Sequence, residues 1–419
     1  MARLLSDLTR SRHANNPVAT QFESQEGTAD MGWIPLSSEW HPLENRLLGE
    51  ILLLAFRLTI VLTLVGAAGV DIRAQGIRII PDTPSCARCD IRIASRIELV
   101  EPDAAPFVAM PNAVRMDSRG RLWVLQPLEL PQVFAPSGRF LASIGRKGAG
   151  PGEYRMPFEA FSTPGDSVVV LDAGTNRGTV LDPDLSPTRF FRMPWGAKPV
   201  IVLKWPSAIL GAALIRTPAA AGLPLHRFDV SGSEMSVTAS YRHDGDVLRP
   251  SESAVNYIPV IGTGGRLWTA ERNRFRLTEW TTDGRVLRGV TRAPAWFPTI
   301  ANPGWGNRTT APPPAIAGMA LEGSDRLWVV ISRPKYSWPK AWPAQSGPRG
   351  EIRTSDVRTD LLYESVLEII DVAAGTVIAR AVLPEFVIDL LPDRRAVVYS
   401  TADDGTRSLA VITLVVARR

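Results

Sequence analysis

The chain has 419 residues, 45% hydrophobic and 21% charged, with 33 glycines and 35 prolines. That is globular material with apolar side chain enough for an extensive core, and a turn inventory suited to many short strands rather than long helices. The formal charge of +5 is carried by arginine with only five lysines. The arginines are dispersed among Asp and Glu rather than clustered with aromatics, which argues against a nucleic-acid partner.

Residues 1–45 are polar, with scattered prolines and no apolar periodicity, and read as a disordered N-terminal region. Residues 46–75 read as a signal peptide or membrane anchor. Arg57 divides the apolar stretch Ile51 to Val70 and leaves thirteen residues, Leu58 to Val70, uninterrupted. A membrane span needs about twenty apolar residues, whereas the core of an export signal needs about 7–15. Arg46 and Arg57 supply the positive flank, and small residues (Gly66, Ala67, Ala68, Gly69, Ala74) place cleavage between Ala68 and Gln75. The alternatives are an uncleaved anchor, in which the membrane is met only through this segment, and a later start at Met31. Both leading readings put the remainder outside the cytoplasm, in a periplasmic or extracellular setting.

Residues 76–90 form a linker holding the chain's only cysteines, Cys86 and Cys89, as a CxxC pair. A structural zinc site needs two further ligands, and covalent haem attachment needs a His where Asp90 stands. An exported chain favours oxidation, so a local disulfide is the leading expectation, with free thiols or metal as alternatives. In Ile91 to Pro102, alternation of Ile91 with Ile93 and of Ile97 with Leu99 predicts a strand with one buried face.

From Asp117 the chain repeats. Asp117-Ser118-Arg119-Gly120 turns into RLWVLQ, a loop leads to QVFAP, Ser137-Gly138-Arg139 turns into FLASIG, and a glycine-rich linker from Gly145 to Gly152 ends at Pro157. The unit is too short to bury its own face. It recurs as SVVVLD–GTVLD–TRFFRM, then in a worn copy through VIVLKW, SAILGAALI, HRFDVSG and SVTASYR. Arg266-Leu267-Trp268 and Arg326-Leu327-Trp328 repeat Arg121-Leu122-Trp123, and FVIDLLPDRRAVVYS begins the last copy. Spacing gives six units of about 46–50 residues once insertions are removed. The expectation is therefore all-β: a six-bladed β-propeller over residues 91–419, its ring closed by the N-terminal strand pairing with the last blade.

The unit resembles the NHL class of six-bladed propellers. Gly145, Gly148, Gly150, Gly152-Glu153-Tyr154 and Pro157 are similar to that family's glycine-rich linker. Val170-Leu171-Asp172, Asn176, Arg177 and Leu181-Asp182 resemble its strand–Asp–loop–Asn–Arg–strand core. The resemblance covers about residues 91–416 and is sharp in the first two repeats. It implies a scaffold used for binding platforms, sensor domains and occasional enzymes.

Little in the sequence points to catalysis. There is no GxSxG, no HExxH, and no phosphate-cradling loop before a helix. His226 and His243 sit in one worn repeat and read as surface or blade-edge residues, unlike the several channel histidines of NHL-class lyases. Calcium or magnesium in the central channel stays open, because hard cations need only oxygen ligands; Asp172, Asp229, Glu271 and Asp389 lie near strand ends, though Asp is also the ordinary turn residue. No metal-ligand or catalytic set is assigned. The aromatic insertions are the better candidates for recognition. Trp296, Phe297 and Trp305 precede the fifth repeat, and Tyr336, Trp338 and Trp342 stand beside Arg333, Lys335 and Lys340. Protruding loops carry recognition more often than scaffolds, so Trp305, Arg333, Tyr336, Trp338 and Trp342 form the candidate ligand-binding set; the alternative is a lid that packs its own tryptophans.

The functional expectation is a non-catalytic extracytoplasmic module that binds a small molecule, glycan or protein. The alternative is a metal-dependent lactonase- or lyase-like enzyme using the central channel, and a structural envelope role is a third reading.

Overall fold

The structure is a computed structural model that describes residues 76–100, 107–194, 197–202, 209–213, 225–241, 257–261, 266–281, 284–299, 309–342, 357–402 and 404–418. The signal segment, Trp305 and His243 lie outside the described residues.

The elements are strands almost throughout. Two N-terminal strands, β1 (Ile77–Ile79) and β2 (Cys89–Leu99), precede a run of four: β3 (Ala113–Met116), β4 (Leu122–Leu125), β5 (Gln132–Phe134) and β6 (Phe140–Ser143). The glycine-rich linker holds the short parallel pair β7 (Arg146–Lys147) and β8 (Glu153–Tyr154). Next come β9 (Pro157–Ser162), β10 (Val168–Asp172), β11 (Arg177–Leu181) and β12 (Pro187–Arg192), then β13 (Ala197–Val202), β14 (Ile209–Ala213), β15 (Leu225–Ser231) and β16 (Glu234–Tyr241). The fourth run is β17 (Tyr257–Ile261), β18 (Leu267–Glu271), β19 (Arg276–Trp280) and β20 (Val286–Thr291). The fifth is β21 (Ala315–Glu322), β22 (Arg326–Pro334), β23 (Tyr363–Asp371) and β24 (Thr376–Leu383), with a 3-10 turn, Trp338–Ala341, and a short helix, Thr359–Leu362, between β22 and β23. The chain finishes with β25 (Phe386–Leu391), β26 (Arg395–Thr401) and β27 (Arg407–Arg418).

Each run is an antiparallel meander, and the first strand of each touches the first strand of the next: β3 with β9, β9 with β13, β13 with β17, β17 with β21, β21 with β25, and β25 with β3. This is an all-β propeller. The expectation of six separate blades is corrected by the hydrogen bonding, which makes five large sheets. The run β9–β12 and the run β13–β16 are one eight-stranded sheet, because β12 meets β16 in parallel at Arg192 and Glu234.

Apolar clusters fill the spaces between consecutive runs. One joins Trp268, Phe275 and Leu277 to Ile316, Leu327 and Val329. A second joins Trp328, Val330 and Leu367 to Val387, Ala396 and Val398. The strand residues alternate, so every second strand sends side chains to both neighbours. The strands of the second row, such as β4 and β10, are buried on both faces and read as continuous apolar runs.

The repeated tryptophan is the anchor of these rows. Trp123, Trp268 and Trp328 are all fully buried. Trp123 donates its indole N–H to Asp117 Oδ2 at 2.9 Å, and Trp328 donates to Glu322 Oε2 at 2.8 Å. In both copies the acceptor lies six residues upstream. Asp117 also accepts from the backbone N–H of Arg119 and Arg121 and from Arg121 Nε at 2.6 Å. One carboxylate thus closes the turn and satisfies the indole.

Residues 77–100 run along the outer strands. β1 pairs in parallel with β20, Ser85 and Cys86 donate N–H to Val377 and Ile378 of β24, β2 pairs antiparallel with β27, and Val100 bridges to Arg139. Cys86 and Cys89 are joined in a disulfide with Cα atoms 5.4 Å apart. Asp82 reaches from this segment to Trp296 Nε1 at 3.0 Å, Arg380 at 2.5 Å and Arg292 at 3.1 Å. Behind it the buried Glu368 pairs with the same two arginines.

Candidate functional site in the central channel

The first strands β3, β9, β17, β21 and β25 face a common cavity of about 470 Å³. That is within the size of small-molecule sites, about 300–1,000 Å³. Its wall is apolar and polar in nearly equal parts: Met116, Ile258, Val260, Met319 and Ile388 contribute apolar surface, and Asn112, Arg115, Arg272 and Asp389 are among the polar groups.

Arg115 on β3 organises the charge. Its Nε lies 2.7 Å from Glu159 Oε1, its Nη2 donates to Glu159 Oε2 at 2.8 Å, and its Nη1 donates to Asp389 and, at 3.0 Å, to the Val114 carbonyl. The Glu159 contact is the two-pronged guanidinium–carboxylate geometry, which fixes direction as well as distance. Burial works against the Arg115 charge, but Glu159 and Asp389 outweigh it and raise its pKa above the usual arginine value. Burial is also the largest influence on Glu159 and pushes its carboxyl up, with Arg115 and the Ala160 N–H opposing. Asp389 is pinned on its other oxygen by the Leu390 N–H at 2.8 Å.

Arg272, at the end of β18, enters the same cavity without such company. Among the described residues no carboxylate, carbonyl or hydroxyl accepts a hydrogen bond from its guanidinium. Water reaches the group through the channel, yet protein surrounds it. Burial lowers its pKa; Asp389 raises it and Arg115 lowers it further.

The four carboxylates considered at the sequence level do not converge. Asp389 alone lines the cavity. Asp172 accepts from the N–H groups of Arg155, Met156 and Thr175 and from the Thr175 hydroxyl, which makes it a loop anchor. Asp229 faces Arg227 at 3.6 Å on β15, and Glu271 pairs with Arg274 at 2.8 Å and Arg276 at 3.5 Å. No group of three or more metal-ligating side chains occurs among the described residues. Sequence reasoning missed Arg115, Glu159 and Arg272; for the first two the available signal was a charged residue inside the first strand of a repeat, whereas Arg272 follows the second strand, β18, and carried no such mark. His226, read as surface or blade-edge, is buried in β15, where its Nδ1 lies 2.8 Å from the Ser240 hydroxyl.

The aromatic insertion divides. Trp338 and the buried Trp342 pack with Leu362 and Tyr363 against Val114, Leu122, Phe386 and Tyr399. Arg333 is paired with Glu364 at 2.7 Å and lies over the Trp296 ring. Tyr336 is fully exposed.

No family model and no curated protein matches the chain. Solved structures do. A member of the duf4221 family from Bacteroides vulgatus is 10% identical over 79% of this chain and 99% of its own, with a TM-score of 0.54. The fold is that of a β-propeller. A protein described as exported from Bacteroides fragilis is 12% identical over 82% of this chain and 99% of its own, with a TM-score of 0.47. Virginiamycin B lyase from Staphylococcus aureus is 12% identical over 78% and 100%, with a TM-score of 0.38. The resemblance to the NHL class accordingly narrows to the propeller fold.

Proposed function

We propose that this propeller is an exported, non-catalytic binding module that takes a small molecule into its central channel. The observation that carries the reading is the cavity itself: a space of small-molecule size between five first strands, where apolar side chains and convergent polar groups share the wall, as in a ligand site. The enzyme alternative asks for carboxylates able to hold a cation. Asp389, the carboxylate that lines the cavity, and the buried Glu159 behind it instead accept Arg115, and an incoming cation would displace that guanidinium while facing Arg272. Export rests on the apolar run Leu58 to Val70 and on the Cys86–Cys89 disulfide, which persists outside reducing compartments. A glycan or protein partner would instead meet the rim insertion, where Tyr336 is the exposed aromatic.

The test is saturation-transfer NMR with a mixed fragment set on the wild-type protein and on Ala320→Phe, which fills the cavity from β21. Fragments that bind the wild type should lose binding in the filled variant. Fragments bound equally by both proteins, or lost on Tyr336→Ala, would move the site from the channel to the rim.

A further inference from the structure

Arg272 stands apart from the other arginines of the interior. Arg115, Arg288, Arg292 and Arg380 each meet at least one carboxylate. Arg272 meets none among the described residues, and it stands at the cavity with its surface open to solvent and so to a ligand. The protein packed around it still makes its charged form harder to hold than in free solution. Asp389, the opposite charge that acts on it, already has both oxygens committed, to Arg115 and to the Leu390 N–H. The fork of five N–H donors on a guanidinium matches a planar or tetrahedral oxyanion, and the other guanidinium in the cavity, Arg115, is already taken by carboxylates.

We propose that the channel binds a ligand carrying an oxyanion, a carboxylate or sulfonate on an apolar body, and that Arg272 is the receptor for that group. The assignment rests on the channel-binding reading above and gives it a ligand class. The anion sits at Arg272, and the apolar body lies along Met116, Ile258, Met319 and Ile388. Arg115 does not compete, because Glu159 and Asp389 hold it.

Three probes of one shape test this: 3-phenylpropionate, 3-phenylpropan-1-ol and 3-phenylpropylamine, titrated calorimetrically into the exported protein. The carboxylate should bind about ten-fold more tightly than the alcohol, as expected for a charge-assisted pair, and the amine should bind weakest. Arg272→Gln should erase the preference while leaving alcohol affinity within about two-fold, which also shows that the variant is folded, and Arg272→Lys should restore part of it. If the alcohol binds as well as the carboxylate, or Arg272→Gln keeps the preference, the anion assignment is wrong and channel binding stands. If none of the probes binds, both readings fall.

Discussion

Asp117 accepts two backbone N–H groups, an arginine and an indole within one turn. Replacing it by Ala strands the buried Trp123 N–H and opens the DSRG turn. The expected loss is about 3 kcal/mol, since each buried group left unsatisfied costs about 1–3 kcal/mol. Asp117→Asn keeps an acceptor and should lose roughly half as much. Urea unfolding with an unchanged m-value measures this; a shift below about 0.5 kcal/mol would make Asp117 an ordinary surface turn residue. The sequence shows Asp117 as a turn former and Trp123 as core. It does not show that one carboxylate serves both, because that depends on the side chain folding back across the turn. Asp389 was legible as one of four candidate carboxylates, but its partners Arg115 and Glu159 were not. The three meet only when the first strands of separate repeats converge, and the sole local mark is a charge inside a first strand.

At the scale of elements, the segment from β1 to β2 is held by backbone pairing along its length and by charged contacts, Arg96 with Glu385 and Asp82 with Arg292 and Arg380. Burial raises the Asp82 carboxyl, but the hydrogen bonds from Trp296 and Arg380, with the charge of Arg292, outweigh it and hold the group below its ordinary value of 3.8. An acid with a lowered folded pKa contributes stability above its unfolded pKa and loses it as pH falls through the folded one. The contribution of Asp82 should therefore be full at about pH 6 and smaller at about pH 2.5, on its way to being lost as the carboxyl protonates. Comparing wild type with Asp82→Asn by chemical denaturation at both values isolates it, since other titrating groups cancel. A gap that is undiminished at the lower pH would mean that shape, rather than charge, gives Asp82 its effect. The CxxC linker was legible as a tether. That it lies against the outer strands on either side was not, because β1 is three residues long and carries no strand pattern of its own.

For the whole molecule, the all-β propeller fold could be read from turn residues, the Arg-Leu-Trp triplets and alternation. The number of separate sheets could not. A parallel meeting of two outer strands at Arg192 and Glu234 joins two repeats into one sheet, and such contacts between edges leave no periodic trace. Deleting residues 76–100 should be far more damaging than its position suggests. It removes the whole partner of β27, leaving a long unpaired edge, and size-exclusion chromatography should show the shortened chain as aggregate; a monodisperse monomer would show that β27 needs no cover.

The pairing of Cys89 with Arg418 also sets a timetable. In a chain that crosses a membrane N-terminus first, β2 arrives among the earliest segments and its partner arrives last. Until β27 has passed, the early strand has no native neighbour on its long edge. If the protein is exported as proposed, every copy spends its passage incomplete, and a message cut short near its end would deliver a nearly full-length product that cannot finish folding. The disulfide three residues apart needs no distant partner, so its closure does not wait for the strand still to come.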